Sequence, residues 1–131
     1  MATTHTDLVN AVMLAVTQAI PGAVAFRVET GSTFHRCARC GTPAPTRRYG
    51  IVGSCDVRGY LPNGRGFEIE CKVGTDRLRQ DQRNWRDMCA RIGVVWFEAR
   101  AHGADEVFHA ARLAAEYVSQ QYQQQAAPES E

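Results

Sequence analysis

The fold is decided by the stretch SCDVRGYLPNGRGFEIECK, residues 54–72. Residues 54–61 and 66–72 have the composition of strands, and Pro62-Asn63-Gly64 lies between them. Proline, asparagine and glycine at the second, third and fourth positions of a type I turn predict a three-residue hairpin loop with a glycine bulge. This turn sets Leu61 opposite Arg65 and, counting back along both strands, Asp56 opposite Glu70.

The predicted register brings two carboxylates together on one face of the sheet. Residues that face each other across antiparallel strands have Cα atoms within about 5.5 Å. Lys72 follows on the same face because side chains alternate along a strand, whereas Phe67 and Ile69 point to the other face, toward a core. A two-residue Asn63-Gly64 turn would instead place Asp56 on the side of Phe67.

Asp56, Glu70 and Lys72 together have the composition of a site for hydrolysing phosphodiesters. Two carboxylates form a hard, oxygen-rich site that suits Mg²⁺ or Mn²⁺. Such an ion polarises a phosphodiester and lowers the pKa of a bound water. Lys72 is the only lysine beside fourteen arginines, and its compact ammonium can orient that water or stabilise the transition state. The structural alternative is an exposed hairpin with a Glu70–Lys72 salt bridge.

The remaining chain predicts an α/β fold with a mixed central sheet of about four strands flanked by helices. The apolar periodicity and turn residues give the order helix, three strands, helix, strand, helix. The first helix is predicted to begin at Asp7, with Thr6 as its N-cap. The predicted helices are 7–20, 79–92 and 104–122, and the predicted strands outside the hairpin are 23–29 and 94–99.

Two residues outside the hairpin are candidates for the same site. Gln82 falls on the apolar stripe of the second helix, near its start, where an amide could hold Lys72 or a water. Asp7, in the first turn of the first helix, could complete the shell of the metal ion.

Positive charge is concentrated in the middle of the chain. Residues 27–100 contain fourteen basic and eight acidic side chains, whereas residues 101–131 contain one basic and five acidic side chains. A basic central region favours a polyanionic partner. Spacing along the second helix puts Arg79, Arg83 and Arg86 on one face, and together with Arg47 and Arg48 they are predicted to hold a DNA backbone without reading its sequence.

The segment 31–50 is a predicted loop that interrupts the domain. Cys37-Ala38-Arg39-Cys40-Gly41 has the spacing of a zinc knuckle. Two cysteines supply half of a zinc site, so His35 and Cys55, or the same pair from a second subunit, would have to complete it. The alternative is a pair of reduced thiols in a loop.

Length and composition indicate one domain at residues 1–119, with a disordered, glutamine-rich tail at 120–131. Five cysteines, without an apparent signal peptide, predict reduced thiols in a cytoplasm, either bacterial or that of a phage-infected cell. No apolar run approaches the roughly 18 residues of a membrane span, so no membrane partner is expected.

Three motifs in this order resemble the VRR-NUC branch of the PD-(D/E)xK nuclease superfamily: Gly53-Ser54-Cys55-Asp56, Glu70-Cys71-Lys72 and Leu78-Arg79-Gln80-Asp81-Gln82. The resemblance spans about residues 7–100, and small stand-alone members are often encoded by phages. It implies a restriction-endonuclease-like core, cleavage of DNA with Mg²⁺ or Mn²⁺, and a homodimer related to Holliday-junction resolvases. It also implies that the backbone carbonyl of Cys71 is a metal ligand and that Asp7 stands where the family usually has a glutamate.

The sequence therefore predicts a metal-dependent DNA endonuclease that acts on branched or junction DNA. One alternative is a non-catalytic nucleic-acid-binding protein with a zinc loop. Another is a sequence-specific restriction-type nuclease, in which only the segment 31–50 could read bases.

Overall fold

The chain folds as a mixed α/β domain, and the computed structural model describes residues 3–29, 31–33, 39–41, 47–49 and 53–126. Its elements, in chain order, are α1 (Thr4–Ala19), β1 (Val24–Arg27), β2 (Gly31–Thr33), β3 (Arg47–Tyr49), β4 (Val57–Tyr60), β5 (Gly66–Val73), α2 (Gln80–Ile92), β6 (Val95–Ala101), a 3₁₀ turn (Ala104–Glu106) and α3 (Val107–Ala126).

Four strands form the central sheet in the order β1-β4-β5-β6. β1, β4 and β5 are antiparallel neighbours, whereas β6 lies parallel to β5 after the crossover through α2. The sheet and its helices therefore follow the predicted order. The predicted loop 31–50 differs, because its two ends pair as the separate antiparallel strands β2 and β3.

The turn between β4 and β5 sets the register as the sequence predicted. Leu61 N–H donates to Arg65 O at 2.8 Å, Gly64 N–H donates to Leu61 O at 2.8 Å, and Gly64 has a φ of 87°. These are the features of a three-residue loop with a glycine bulge. Val57 consequently pairs with Ile69, and the next pair outward in this register is Asp56 with Glu70.

The hydrophobic core lies between one face of the sheet and the packed pair α1 and α3. β5 supplies Phe67 and Ile69 to this face, and both are fully buried. Opposite Phe67, β4 has Gly59, where a Cβ would stand 2.0 Å from Val24 O and 2.3 Å from the Phe67 ring. Position 59 therefore needs glycine, because any side chain there would collide with the Phe67 ring and the backbone of β1. The opposite face of the sheet carries the polar side chains of β5 and is covered by α2.

The start of α1 and the end of α3 differ from the predicted boundaries. α1 begins at Thr4 rather than Asp7, because Thr3 and not Thr6 is the N-cap and its side chain accepts from Thr6 N–H at 3.2 Å. α3 continues to Ala126, so the predicted tail is helical from Gln120 to that point. Tyr122 packs against the core and explains the extension. Residues 127–131 lie outside the described residues.

Among the residues that the structure describes, no helix is both long enough and apolar enough to cross a lipid bilayer.

Candidate active site

Asp56 and Glu70 meet at the end of the β4–β5 hairpin, beneath the start of α2. Backbone N–H of Cys71 donates to Asp56 Oδ2 at 2.9 Å, which fixes the carboxylate of Asp56 against β5. Asp56 Oδ1 takes no part in this contact and lies 3.5 Å from His5 Nε2. Glu70 is 4% exposed, whereas the side chain of Asp56 is 25% exposed, so the pair has one buried member and one that solvent reaches.

Gln82 connects Lys72 to Glu70. Its amide Nε2–H donates to Glu70 Oε1 at 3.1 Å, and its Oε1 accepts from Lys72 Nζ at 2.9 Å. Backbone N–H of Arg79 also donates to Gln82 Oε1, at 2.9 Å, as in the capping box of a helix start. Because Oε1 accepts from two donors and Nε2–H donates to a carboxyl oxygen, these contacts fix which end of the Gln82 amide is the oxygen and which is the nitrogen. The predicted inward position of Gln82 is confirmed, and the amide is 5% exposed.

Lys72 is held in the same buried network. It is 8% exposed, and its Nζ lies 3.9 Å from Glu70 Oε1. An ammonium has three N–H donors, of which Gln82 takes one. Lys72 therefore keeps donor capacity at the edge of the two carboxylates, where a substrate oxygen or water can accept from it.

The pKa of Glu70 is raised to about 8, first by burial, then by the negative charge of Asp56 and by a side-chain hydrogen bond with Asp56. Lys72 and Arg79 oppose this shift only in part. Apart from the Asp56 carboxyl group, with which it can share a proton, Glu70 Oε2 is buried and has no hydrogen-bond partner among the described residues. Two facing carboxylates with an unsatisfied buried oxygen form a site that a cation would stabilise.

The donor atoms fit a hard divalent ion. Within the part of the chain that the structure describes, no three His, Cys, Asp or Glu side chains form a metal cluster. The donors here are instead two carboxylate oxygens, Asp56 Oδ1 and Glu70 Oε2, and the backbone carbonyl of Cys71. Oxygen donors of this kind are those that Mg²⁺ prefers, with water completing its shell.

His5 lies against this donor set and was missed by sequence reasoning. Its Nε2 is 3.1 Å from Cys71 O and 3.5 Å from Asp56 Oδ1. The prediction instead used Asp7, which is exposed and lines a cavity beside Asn10 and Phe108. The sequence signal that could have identified His5 is Thr3. If Thr3 is chosen as the N-cap, His5 falls in the first turn of α1.

The arginines predicted to bind DNA differ in their surroundings. Arg79 pairs with Asp81 and its side chain is 65% exposed, and its charge reaches Glu70. Arg83 donates to Leu78 O and to Gln80 Oε1. Arg86 pairs with Asp87 and lies 6.0 Å from the ring centre of Trp96. Arg47 and Arg48 belong to β3, where the structure describes only the backbone.

The predicted zinc site is only partly visible. Cys37 and His35 lie outside the described residues, and Cys40 is exposed. Cys55 is buried, and burial followed by the charges of Glu70 and Glu68 raises its thiol pKa. Because zinc binds the thiolate, this environment disfavours Cys55 as a ligand.

Glu68 forms a second buried polar group on the same face, which the sequence analysis did not identify. Arg58 Nη2 and Trp85 Nε1 donate to its Oε1 at 3.2 and 2.9 Å, and Cys89 Sγ lies 3.5 Å from its Oε2. The guanidinium of Arg58 also lies 5.6 Å from the centre of the Trp85 ring. Both oxygens of Glu68 thus have partners, and this group ties the sheet to α2.

No protein-family model matches the chain, and no curated protein matches it either.

Proposed function

We propose that this protein is a divalent-metal-dependent DNA endonuclease of the VRR-NUC type. The observation that carries the proposal is the buried Glu70 Oε2, which receives a hydrogen bond from no other donor group among the described residues and faces a second carboxyl group. A buried carboxyl oxygen without a partner costs about 1–3 kcal/mol when the group is neutral, and more when it is charged, unless a ligand satisfies it. A divalent cation bound by Asp56, Glu70 and the Cys71 carbonyl is the ligand that removes both the charge repulsion and the unsatisfied oxygen.

Such an ion, when bound, supplies Lewis-acid activation of a phosphodiester and of a water. The chain's own residues provide the rest. Asp56 is the carboxylate that solvent reaches, so it faces the side from which substrate enters. Lys72, held by Gln82, offers its remaining N–H donors to a non-bridging phosphate oxygen or to the attacking water. Gln82 keeps Lys72 and Glu70 at a fixed separation.

The proposed substrate is DNA held by its backbone. The excess of basic over acidic side chains in residues 27–100 attracts a polyanion, and Arg79 stands exposed at the helix start beside Glu70. Phosphate contacts of this kind position a duplex without reading its bases. We therefore propose cleavage selected by DNA shape, with branched or four-way junctions as the preferred substrates.

The test is incubation of the purified protein with linear duplex, flap and four-way DNA in Mn²⁺, Mg²⁺ or EDTA. Cleavage that requires a divalent ion and is strongest on branched DNA is expected. DNA binding that persists in EDTA, with no cleavage in either metal, would favour the non-catalytic nucleic-acid-binding protein instead. Glu70→Gln protein purified in parallel excludes a contaminating nuclease, because that contaminant would cleave equally in both samples.

We also propose that the protein acts as a homodimer, in which a second copy covers the outer surface of α1 and α3. Phe108 and Leu14 are 79% and 55% exposed there, beside a groove of about 640 Å³ that contains none of the candidate site residues. Light scattering coupled to gel filtration should give the mass of two chains. Phe108→Ser should shift that mass toward one chain, and a wild-type monomer at all concentrations would contradict the proposal.

A further inference from the structure

We infer that His5 is itself a ligand of the divalent ion and that it biases the site toward Mn²⁺ over Mg²⁺. This inference rests on the proposed metal-dependent function and extends it to a residue outside the carboxylate pair. Its observation is the position of His5 Nε2, 3.1 Å from Cys71 O and 3.5 Å from Asp56 Oδ1.

These atoms are near one another, although the described His, Cys, Asp and Glu side chains form no ready-made metal cluster. In an octahedral shell with bonds of about 2.1 Å, adjacent ligand atoms lie about 3.0 Å apart. His5 Nε2 lies 3.1 Å from Cys71 O, which is close to this spacing, and 3.5 Å from Asp56 Oδ1, which a shared ion would have to draw closer. As a neutral ligand, the imidazole would offer the lone pair of Nε2 and keep its proton on Nδ1.

The hydrogen bonds around the site leave the appropriate atoms free for this role. Asp56 Oδ2 accepts from the Cys71 backbone and Glu70 Oε1 accepts from Gln82. Each carboxylate therefore keeps one oxygen, Oδ1 or Oε2, without a backbone or amide donor among the described residues. His5 Nε2 lies next to Asp56 Oδ1 and so adds a nitrogen to the three oxygen donors.

Helix geometry separates His5 from Asp7. Successive residues of an α-helix are rotated by about 100°, so residues two apart point in nearly opposite directions. Because His5 faces Asp56, Asp7 faces outward, beside Asn10 and Phe108. One of the two can be a ligand while α1 keeps its position, and the contacts select His5.

A nitrogen ligand changes which metal the site prefers. Mg²⁺ is bound through oxygen and water, whereas first-row transition ions gain more from an imidazole. We expect the wild-type protein to bind Mn²⁺ more tightly than Mg²⁺. His5→Gln keeps an N–H that can donate to Cys71 O but removes the imidazole nitrogen. It should weaken Mn²⁺ binding about tenfold or more and change Mg²⁺ binding less than about threefold.

The deciding measurement is pulsed electron spin resonance on Mn²⁺ bound to the full chain. Imidazole coordination produces a ¹⁴N modulation of the Mn²⁺ spin echo, which a structural histidine outside the ion's shell does not produce. We expect this modulation in the wild type and in His109→Gln, a matched control on the exposed surface of α3. It should be absent in His5→Gln. Replacement of the ¹⁴N pattern by a ¹⁵N pattern in wild-type protein carrying ¹⁵N-histidine provides the same test without a variant.

The two proposals fail in distinguishable ways. Mn²⁺ bound without nitrogen modulation, together with metal-dependent DNA cleavage, would overturn the role of His5 and leave the nuclease proposal standing. A modulation that is unchanged in His5→Gln would also overturn it, because another histidine would then supply the nitrogen. Failure of the wild type to bind Mn²⁺, with no cleavage of DNA in any metal, would overturn both.

Discussion

Glu68 and Glu70 lie two residues apart on β5, face α2 together and are 5% and 4% exposed, yet their surroundings are opposite. Both oxygens of Glu68 have donors, from Arg58, Trp85 and Cys89. Glu70 has a donor at Oε1 and none at Oε2 among the described residues. Burial alone therefore does not separate Glu68 from Glu70, the proposed metal ligand, and the difference lies in whether the carboxyl oxygens have donors.

The difference originates across the strand pair. Arg58 lies opposite Glu68, and in the same register Asp56 lies opposite Glu70. Opposite charges that face each other across antiparallel strands stabilise a sheet, whereas like charges destabilise it. One position of the hairpin thus forms an ion pair, whereas the next brings together two carboxyl groups that repel each other when both are charged. The repulsive position is where a cation would be bound.

Exchange of each glutamate for glutamine is the largest test of this comparison. We expect Glu70→Gln to reduce DNA cleavage about 10³-fold or more, because it removes a metal ligand and its charge. Glu68→Gln should instead destabilise the fold by about 2–4 kcal/mol, below the upper range for a buried pair because Arg58 is 29% exposed. Cleavage assays and denaturant unfolding measure the two effects.

Glu68→Gln is the matched control for Glu70→Gln, since it removes an equally buried charge from the same strand and the same face. At a temperature where it stays folded, we expect it to cleave within a few fold of the wild type. If the two variants lost cleavage equally, Glu70 would have no special role and the comparison would fail.

Lys72→Arg tests whether the site needs a compact cation. The guanidinium is wider than the ammonium and presents a planar fork, and the space beside Gln82 is nearly closed to solvent. We expect cleavage to fall about 100-fold, the size typical of losing one positioned donor to the transition state. DNA binding, measured by fluorescence anisotropy, should stay within a few fold. Retention of full cleavage would show that any cation suffices at this position.

The stability of the metal-free protein should depend on pH through Glu70, and the Glu70→Gln substitution should remove that dependence. The folded-state pKa of Glu70 is about 8, against an ordinary value of 4.5. The folded state therefore holds a proton in this window that the unfolded chain releases. Its contribution is fully present below about pH 4.5 and is lost as the pH rises toward 8.

Thermal unfolding in EDTA between about pH 4.5 and 9 measures this effect. The wild type should lose stability relative to Glu70→Gln across that window, by an amount on the order of a few kcal/mol. Mn²⁺ should restore more of the wild-type stability near about pH 8 than near about pH 5, because protons then compete less with the ion for the carboxylates. Parallel curves for the two proteins would mean that Glu70 titrates normally.

The hairpin was predictable from sequence because local turn chemistry determines its register. Pro62-Asn63-Gly64 selects one loop length, and that loop length brings Asp56 opposite Glu70. Gln82 was also predictable, since a polar residue on an apolar helical stripe must face inward. Both inferences depend on residues close together in the chain.

The surroundings of the two glutamates were less predictable, because they depend on contacts between distant elements. His5 was placed outside the first helix, since Thr3 and Thr6 are both acceptable caps and only tertiary contact distinguishes them. The partners of Glu68 come from β4 and from two turns of α2, and strand alternation alone did not show that α2 covers this position. The helical residues 120–126 were taken as tail because composition does not reveal that Tyr122 reaches the core.

The smallest expected effect concerns which end of α2 contacts DNA. The first turn of α2 covers Glu70 and is preceded by the N-cap residue Arg79, whereas later turns cover Glu68 and carry Arg86. Arg79 is mostly exposed, while Arg86 pairs with Asp87 and lies near the ring of Trp96. If only the Glu70 end is functional, DNA should contact Arg79 more strongly than Arg86.

Arg79→Ala should therefore weaken binding to unrelated DNA sequences about three- to tenfold and reduce the slope of log affinity against log salt by about one, as expected for one lost phosphate contact. Arg86→Ala should change affinity less than about twofold, and Arg112→Ala, on the exposed surface of α3, provides a control far from both glutamates. Anisotropy titrations at several salt concentrations measure all three.

Equal losses at Arg79 and Arg86 would extend the DNA-binding surface over both ends of α2, as the spacing of Arg79, Arg83 and Arg86 in the sequence predicts. An unchanged salt slope in Arg79→Ala would remove the helix start from that surface.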